Sequence, residues 1–302
     1  MTAPTSSALS DALSIARYHI VLIAMAGMVT FGWLMSGRYL WGLSLIVGLD
    51  WFLINLMNRI TDIAEDRKNA IPGTERVAQR MRLLTWLSAL LLGGSLLATH
   101  ALWPRLTPYR ILVQVIGLAY NYRLLPRRHG FARFKELYFF KNFASACLFI
   151  LTCFVYPYVV AEQALALRGG AVAILAVFFL LFEHTYEILY DFRDLEGDTA
   201  EGIPTYPVVH GPQGGRRILS ALLWLSAAVL GVGVASGILG VREGLMVAAP
   251  LLQWLFYRHR LLKLTSRDCV QLTHMGTALL TLFLCGTAVW RHYGLVSNIY
   301  LR

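Results

Sequence analysis

Charge is what this sequence has least of. Only 15% of its 302 residues are Asp, Glu, Lys or Arg, against about a quarter in soluble globular domains, so a water-facing surface cannot cover most of the chain. Acidic residues are the scarcest of these, 17 in all, which makes any cluster of them informative. Paired cysteines are lacking as well. Cys147, Cys153, Cys269 and Cys285 sit in apolar stretches without CxxC or Cys/His ligand spacing, which argues against a zinc site or a disulfide framework and leaves them as small buried hydrophobes. No polar stretch is long enough for a separate soluble domain. The N-terminal region carries Asp11 and has no clear basic segment with a cleavage site, so the first apolar run is expected to be a retained helix rather than a signal peptide.

Apolar residues fill the space that charge leaves, at 57% of the chain with a mean hydropathy of +0.57. Runs approaching the roughly 20 residues needed to span a bilayer extend over Ile20 to Met35, Leu40 to Met57, Leu83 to Trp103, Tyr109 to Tyr120, Phe143 to Val160, Ala171 to Tyr190, Ile218 to Leu239, Leu245 to Tyr257 and Leu272 to Trp290. The fourth and eighth are the shortest. The expected fold is an all-α polytopic membrane bundle of about nine transmembrane helices in one domain, residues 1–302. With the N-terminus inside, 20 of the 27 basic residues fall on the inner side and seven outside: Arg38, Arg105, Arg110, Arg168, Arg242, Arg291 and Arg302. Topology thus accounts for the net charge of +10, and no nucleic-acid partner is expected.

Two acidic segments repeat at an offset of 132 residues. NRITDIAEDRKNAIP from Asn58 and YDFRDLEGDTAEGIP from Tyr190 align Asp62 with Asp194, Asp66 with Asp198, Ala70 with Gly202, Ile71 with Ile203 and Pro72 with Pro204. An offset of four spans gives two four-helix repeats plus one helix, with halves of about 15–135 and 136–265 and a last helix at about 270–290. An even repeat keeps its orientation, so both motifs are expected on one side, which the distribution of basic residues makes cytoplasmic, and the halves are expected to be related by an axis along the membrane normal rather than inverted as in many transporters. Asn58, Asp62 and Asp66 at i, i+4, i+8, and Asp191, Asp194 and Asp198 at i, i+3, i+7, could project into one central cavity. Hard oxygen ligands from two helices suit Mg²⁺ that keeps part of its shell for phosphate oxygens. The alternative is a pair of solvated helix ends; repetition at a fixed offset favours the metal reading. Asp50, Asn55, Glu183, His184 and Glu187 lie within apolar runs, where ionisable groups are functional candidates, although His184 could simply bridge helices.

NxxxDxxxD at Asn58 to Asp66, together with DxxDxEGD…GIPTYPVVHG at Asp191 to Gly211, resembles the UbiA superfamily of intramembrane prenyltransferases. The resemblance implies a helical bundle with a central cavity and two Mg²⁺ held by the paired motifs. It also implies a prenyl diphosphate whose tail lies in a lipid-open tunnel. The basic loop YNYRLLPRRHGFARFKELYFFKN resembles the family's segment between the fourth and fifth helices. Carried over, Arg133, Lys135, Lys141 and Asn142 are candidate diphosphate contacts, with Arg67 and Lys68 beside the first motif; each could equally be a topology charge. Two departures stand out. Arg59 follows Asn58 where the family usually has Asp, which makes Arg59 a contact either of the diphosphate or of a neighbouring carboxylate. Arg17-Tyr18-His19 replaces the usual Arg-Pro near the first helix.

The expected chemistry is loss of diphosphate from an allylic carbon, leaving a carbocation that aromatic faces stabilise. Candidate catalytic carboxylates are Asp62, Asp194, Glu187 and Asp50. Trp51, Asn55, Phe182, His184, Tyr186 and Tyr190 are candidate cavity residues, with Phe52, Phe178 and Phe179 nearby. Prenyl transfer to a small aromatic acceptor is the leading expectation, and the expected location is a bacterial inner membrane with the active site facing the cytoplasm. A terpene cyclase on the same scaffold is the alternative. A cation transporter is disfavoured by the parallel repeat and by the basic loops beside the acids.

Overall fold

The computed structural model describes residues 8–68, 71–127, 130–162 and 165–293, so Ala70 and Arg302 lie outside the described residues. In chain order it runs α1 (Ala8–Ala16), α2 (Tyr18–Ser36), α3 (Trp41–Thr61), α4 (Ile63–Lys68), α5 (Thr74–Leu102) and α6 (Thr107–Asn121). A small antiparallel pair follows, β1 (Leu125–Arg127) and β2 (Gly130–Ala132), with Leu125 opposite Ala132. The second part comprises α7 (Phe140–Ile150), α8 (Tyr156–Val160), α9 (Gly169–Arg193), α10 (Leu195–Glu201), α11 (Tyr206–Ala235), α12 (Val241–Gly244), α13 (Ala248–Tyr257) and α14 (Ser266–His292).

Among the described residues, seven helical runs are long and apolar enough to cross a membrane: α2, α3, α5, the run Phe140–Val160, α9, α11 and α14. Two of the nine expected spans fall short. The fourth is α6, at 15 residues, and the eighth is divided between a 3₁₀ turn at Leu245–Val247 and the ten-residue α13, both below the roughly 20 residues of a full span. The protein is an integral multi-pass membrane protein. Its α5 shows what lipid contact looks like from the protein side, with Leu83, Trp86, Leu90 and Leu97 all exposed on a helix that buries little.

Local sequence sets the helix ends and bends. Gly37 adopts the left-handed region (φ 69°) and returns its N–H to the Trp33 carbonyl at 2.7 Å, closing α2. Pro157 has no N–H for the Cys153 carbonyl, and the preceding turn, Leu151–Val155, widens to a π-helix between α7 and α8. Gly211 (φ 68°) followed by Pro212 kinks α11 near its start. Rings from α2, α3, α7 and α9 pack the bundle centre: Phe31 lies 4.7 Å from Phe179, and Trp51 lies 4.0 Å from Phe149, centroid to centroid. On α9 the rings Phe178, Phe179 and Phe182 precede Asp191 of the second acidic motif.

Candidate active site

Both acidic segments fold alike, bond by bond. In the first, the Asp62 N–H donates to Asn58 O (2.9 Å), Asp66 N–H to Asp62 O (2.8 Å) and Ile71 N–H to Asp66 O (2.9 Å). At the offset of 132, Asp194 N–H donates to Tyr190 O (3.0 Å), Asp198 N–H to Asp194 O (2.9 Å) and Ile203 N–H to Asp198 O (2.9 Å). Asp62 and Asp194 each end a long helix with similar dihedrals (φ −104°, ψ 21° and φ −94°, ψ 8°), and the short helices α4 and α10 then turn off. The carboxylates of both motifs line one cavity of about 1050 Å³, counting its open mouth.

Each motif aspartate is met by a cation. Lys135 Nζ reaches Asp62 Oδ1 at 2.7 Å and Glu65 Oε2 at 2.9 Å, with Arg133 Nη1 at 3.4 Å from Asp62. Arg59 Nη1 lies 2.7 Å from Asp66. Across the cavity, Lys141 Nζ sits between Asp191 (3.0 Å) and Asp198 (2.9 Å), Arg193 pairs with Asp194, and Asn142 Nδ2 donates to Asp191 (2.7 Å). Asn58 Nδ2 donates to Asp62, leaving its carbonyl oxygen available. Among the described residues no three carboxylate, histidine or cysteine side chains converge on one point. Two carboxylates do surround the Lys141 Nζ position, and pairs of hard oxygens completed by phosphate and water are how Mg²⁺ is usually held, so the donor set fits that ion. Burial pushes Asp198 up to about 6 against the opposing pull of Lys141. At Glu136 burial is outweighed by hydrogen bonds from Arg133 and Arg123, which hold its carboxyl below the ordinary range.

The polar cavity leads inward. A joint of about 430 Å³ shares Arg17, Ile20, Glu187 and Tyr190 with it, and shares Ile23, Glu183 and Tyr186 with an apolar chamber of about 600 Å³ lined by Phe31, Phe178, Phe179 and Phe182. Glu187 accepts from Ser145 Oγ at 2.7 Å, and Tyr190 OH meets Thr273 Oγ1 at 3.0 Å. Gly276 lets α14 approach here, because a Cβ would lie 2.6 Å from the Tyr186 hydroxyl.

Several expected site residues lie elsewhere. Asp50 is fully buried against Arg110, whose Nη2 and Nε lie 2.7 and 2.9 Å from Asp50 Oδ1, with Gln114 and Tyr156 also donating to the carboxylate. Asp50 does not line the cavity. Arg110 and Arg242, counted with the outer side, are both buried, Arg242 beside Glu243 and over the Trp33 ring. Arg67 pairs with exposed Glu75, and Lys68 reaches Glu201, which its hydrogen bond holds below the ordinary carboxylate range; neither basic residue lines the cavity. Trp51 donates to Thr152 Oγ1, Asn55 donates to Trp51 O, and His184 Nε2 meets Tyr206 OH at 3.0 Å; all three pack behind the wall. In turn, Arg17, Glu65 and Arg193 are wall residues that the spacing arguments did not single out. Their signals were present: Glu65 and Arg193 sit inside the motifs, and Arg17 begins the first apolar helix.

A UbiA homologue from Archaeoglobus fulgidus bound to DMAPP and Mg²⁺ has the same fold, with a TM-score of 0.70, 15% identity and 91% of this chain and 97% of that chain covered. The same homologue bound to GPP and Mg²⁺ gives a TM-score of 0.70 at 15% identity, covering 91% and 98%. A digeranylgeranylglyceryl phosphate synthase matches with a TM-score of 0.59 and 18% identity, covering 91% and 95%. No curated protein matches the chain. The model of the UbiA prenyltransferase family matches residues 23–283, and on that match the chain belongs to the UbiA prenyltransferase family.

Proposed function

We propose that this intramembrane prenyltransferase moves a prenyl group from its diphosphate to a small aromatic acceptor, with Mg²⁺ as cofactor. One observation carries the reading: a cavity with both acidic motifs on its walls opens through Arg17, Glu187 and Tyr190 into an aromatic chamber. That gradient suits a substrate with an anionic head and a hydrocarbon tail. The complexes of the Archaeoglobus fulgidus homologue with DMAPP or GPP and Mg²⁺ support it. Residues 15–135 and 136–265 form the two halves of the site in this reading, which faces the cytoplasm of a bacterial inner membrane; thiol labelling of cysteines placed at Gly130 and Gly202 from the inner side only tests that orientation.

Asn58, Asp62, Asp66, Asp191, Asp194 and Asp198 supply the oxygens from which a divalent metal would draw its protein ligands, and when bound it would neutralise the diphosphate and stabilise charge developing on the leaving oxygen. Arg133, Lys135, Lys141 and Asn142 receive the diphosphate, the lysines exchanging carboxylate partners for phosphate oxygens. Tyr186, Tyr190 and Phe182 turn ring faces and edges toward the allylic carbon and exclude water, which protects the carbocation from hydrolysis. Glu187, at the joint between head and tail compartments, orients the acceptor hydroxyl or takes the proton released when the ring is alkylated. Purified protein with Mg²⁺ and a C10 to C20 prenyl diphosphate series, with and without phenolic acceptors, tests the reading by mass spectrometry. Prenylated phenol is expected. A single cyclic terpene formed at a rate no acceptor changes would replace the transferase with a cyclase.

A further inference from the structure

Arg59 and Asp191 occupy equivalent positions in the two motifs, since the offset of 132 residues superposes them. Each stands seven residues before a buried aspartate, Asp66 on α4 and Asp198 on α10, and side-chain contacts rather than a continuous helix bring the members of each pair together. The two pairs are filled in opposite ways. In the second, both members are carboxylates and a separate cation, Lys141 Nζ, lies 3.0 and 2.9 Å from them. In the first, the cation is part of the pair: the Arg59 guanidinium lies 2.7 Å from Asp66.

Arg59 is also fixed in place. Its Nη2 donates to Ser14 Oγ at 2.9 Å and Ser14 O at 3.1 Å, which ties it to α1, and only 3% of the residue is exposed. Among the described residues its Nε–H has no partner, although Arg59 forms part of the cavity wall. A buried guanidinium donor without an acceptor is costly, and a phosphate oxygen is the acceptor for which its fork is shaped.

Resting on the metal-dependent reading above, we infer that Arg59 is a built-in replacement for one divalent ion, so that the protein takes one Mg²⁺ per diphosphate, at Asp191 and Asp198, and meets the other side of the diphosphate with Arg59. A divalent ion on Asp66 would have to approach a fixed guanidinium that already neutralises that carboxylate, and like charges at such range oppose each other strongly.

The test counts metal rather than turnover. Full-length protein is equilibrated with Mn²⁺ and geranyl thiolodiphosphate, an unreactive prenyl diphosphate; dialysis gives ions per chain, and electron paramagnetic resonance separates an isolated Mn²⁺ from a coupled pair. Wild type is expected to bind one Mn²⁺ with an isolated spectrum, and Arg59→Asp to bind two that are coupled. Two coupled ions in wild type overturn the inference, as does an Arg59→Asp protein that binds the analogue yet still takes only one ion. Should Arg59→Asp fail to fold, the wild-type count decides alone. Analogue bound with no Mn²⁺ at all overturns the metal-dependent reading and this inference together.

Discussion

Removing Asp50 should cost the protein its stability before its chemistry. The carboxylate and the Arg110 guanidinium are both fully buried, and Arg110 adds Thr99 (2.8 Å) and Ser95 (2.8 Å) to the network, so α3, α5 and α6 are tied together at one point. Asp50→Ala leaves Arg110 charged with no counterion in an apolar setting. Breaking a buried pair from one side costs about 3–5 kcal/mol, whereas replacing both partners with apolar groups of similar volume is often neutral. For a chain of this size, the single variant should lose on the order of 10 °C in apparent Tm. Asp50→Leu combined with Arg110→Met should recover most of that loss. The assay is thermal unfolding in detergent, followed by tryptophan fluorescence, with turnover measured well below the transition. An Asp50→Ala protein with native Tm and abolished turnover would refute this reasoning and return Asp50 to the chemistry.

Asp62→Ala, Asp66→Ala, Asp194→Ala and Asp198→Ala should each lower turnover by about a hundredfold or more, about 2.7 kcal/mol of transition-state stabilisation, and EDTA should do the same to wild type; full activity in excess chelator sinks the metal reading. Arg67→Ala and Lys68→Ala should leave KM for prenyl diphosphate within about twofold, because exposed ion pairs contribute little and these pair with Glu75 and Glu201 away from the cavity; a large rise in KM would place them at the substrate. Glu187→Gln should lower kcat for transfer while leaving the affinity for an unreactive prenyl diphosphate nearly unchanged, and equal losses in both would remove it from acceptor chemistry.

Sequence spacing disclosed those parts of the site that act through local geometry. The two aspartate strings were legible because the same backbone turn places them, down to the Ile71 and Ile203 amides that close on Asp66 and Asp198. The short fourth and eighth segments were visible as short runs, but nothing local says that α6 stops at 15 residues while still burying Arg110. Asp50 failed as a site residue for a countable reason. Eight residues of ideal helix turn about 80° past two full turns, so Asp50 is rotated away from the face of Asn58 further along α3. What Asp50 faces instead is a partner 60 residues away in sequence, and no periodicity reports that distance. Arg67 and Lys68 rest on the family resemblance rather than on spacing, and from α4 their side chains reach Glu75 and Glu201 instead of the cavity. Arg59 and Asp66 lie on either side of the break between α3 and α4 and are joined by their ion pair. The sign of Arg59, opposite to that of Asp191 at the equivalent position, marks the two half-sites as chemically unequal.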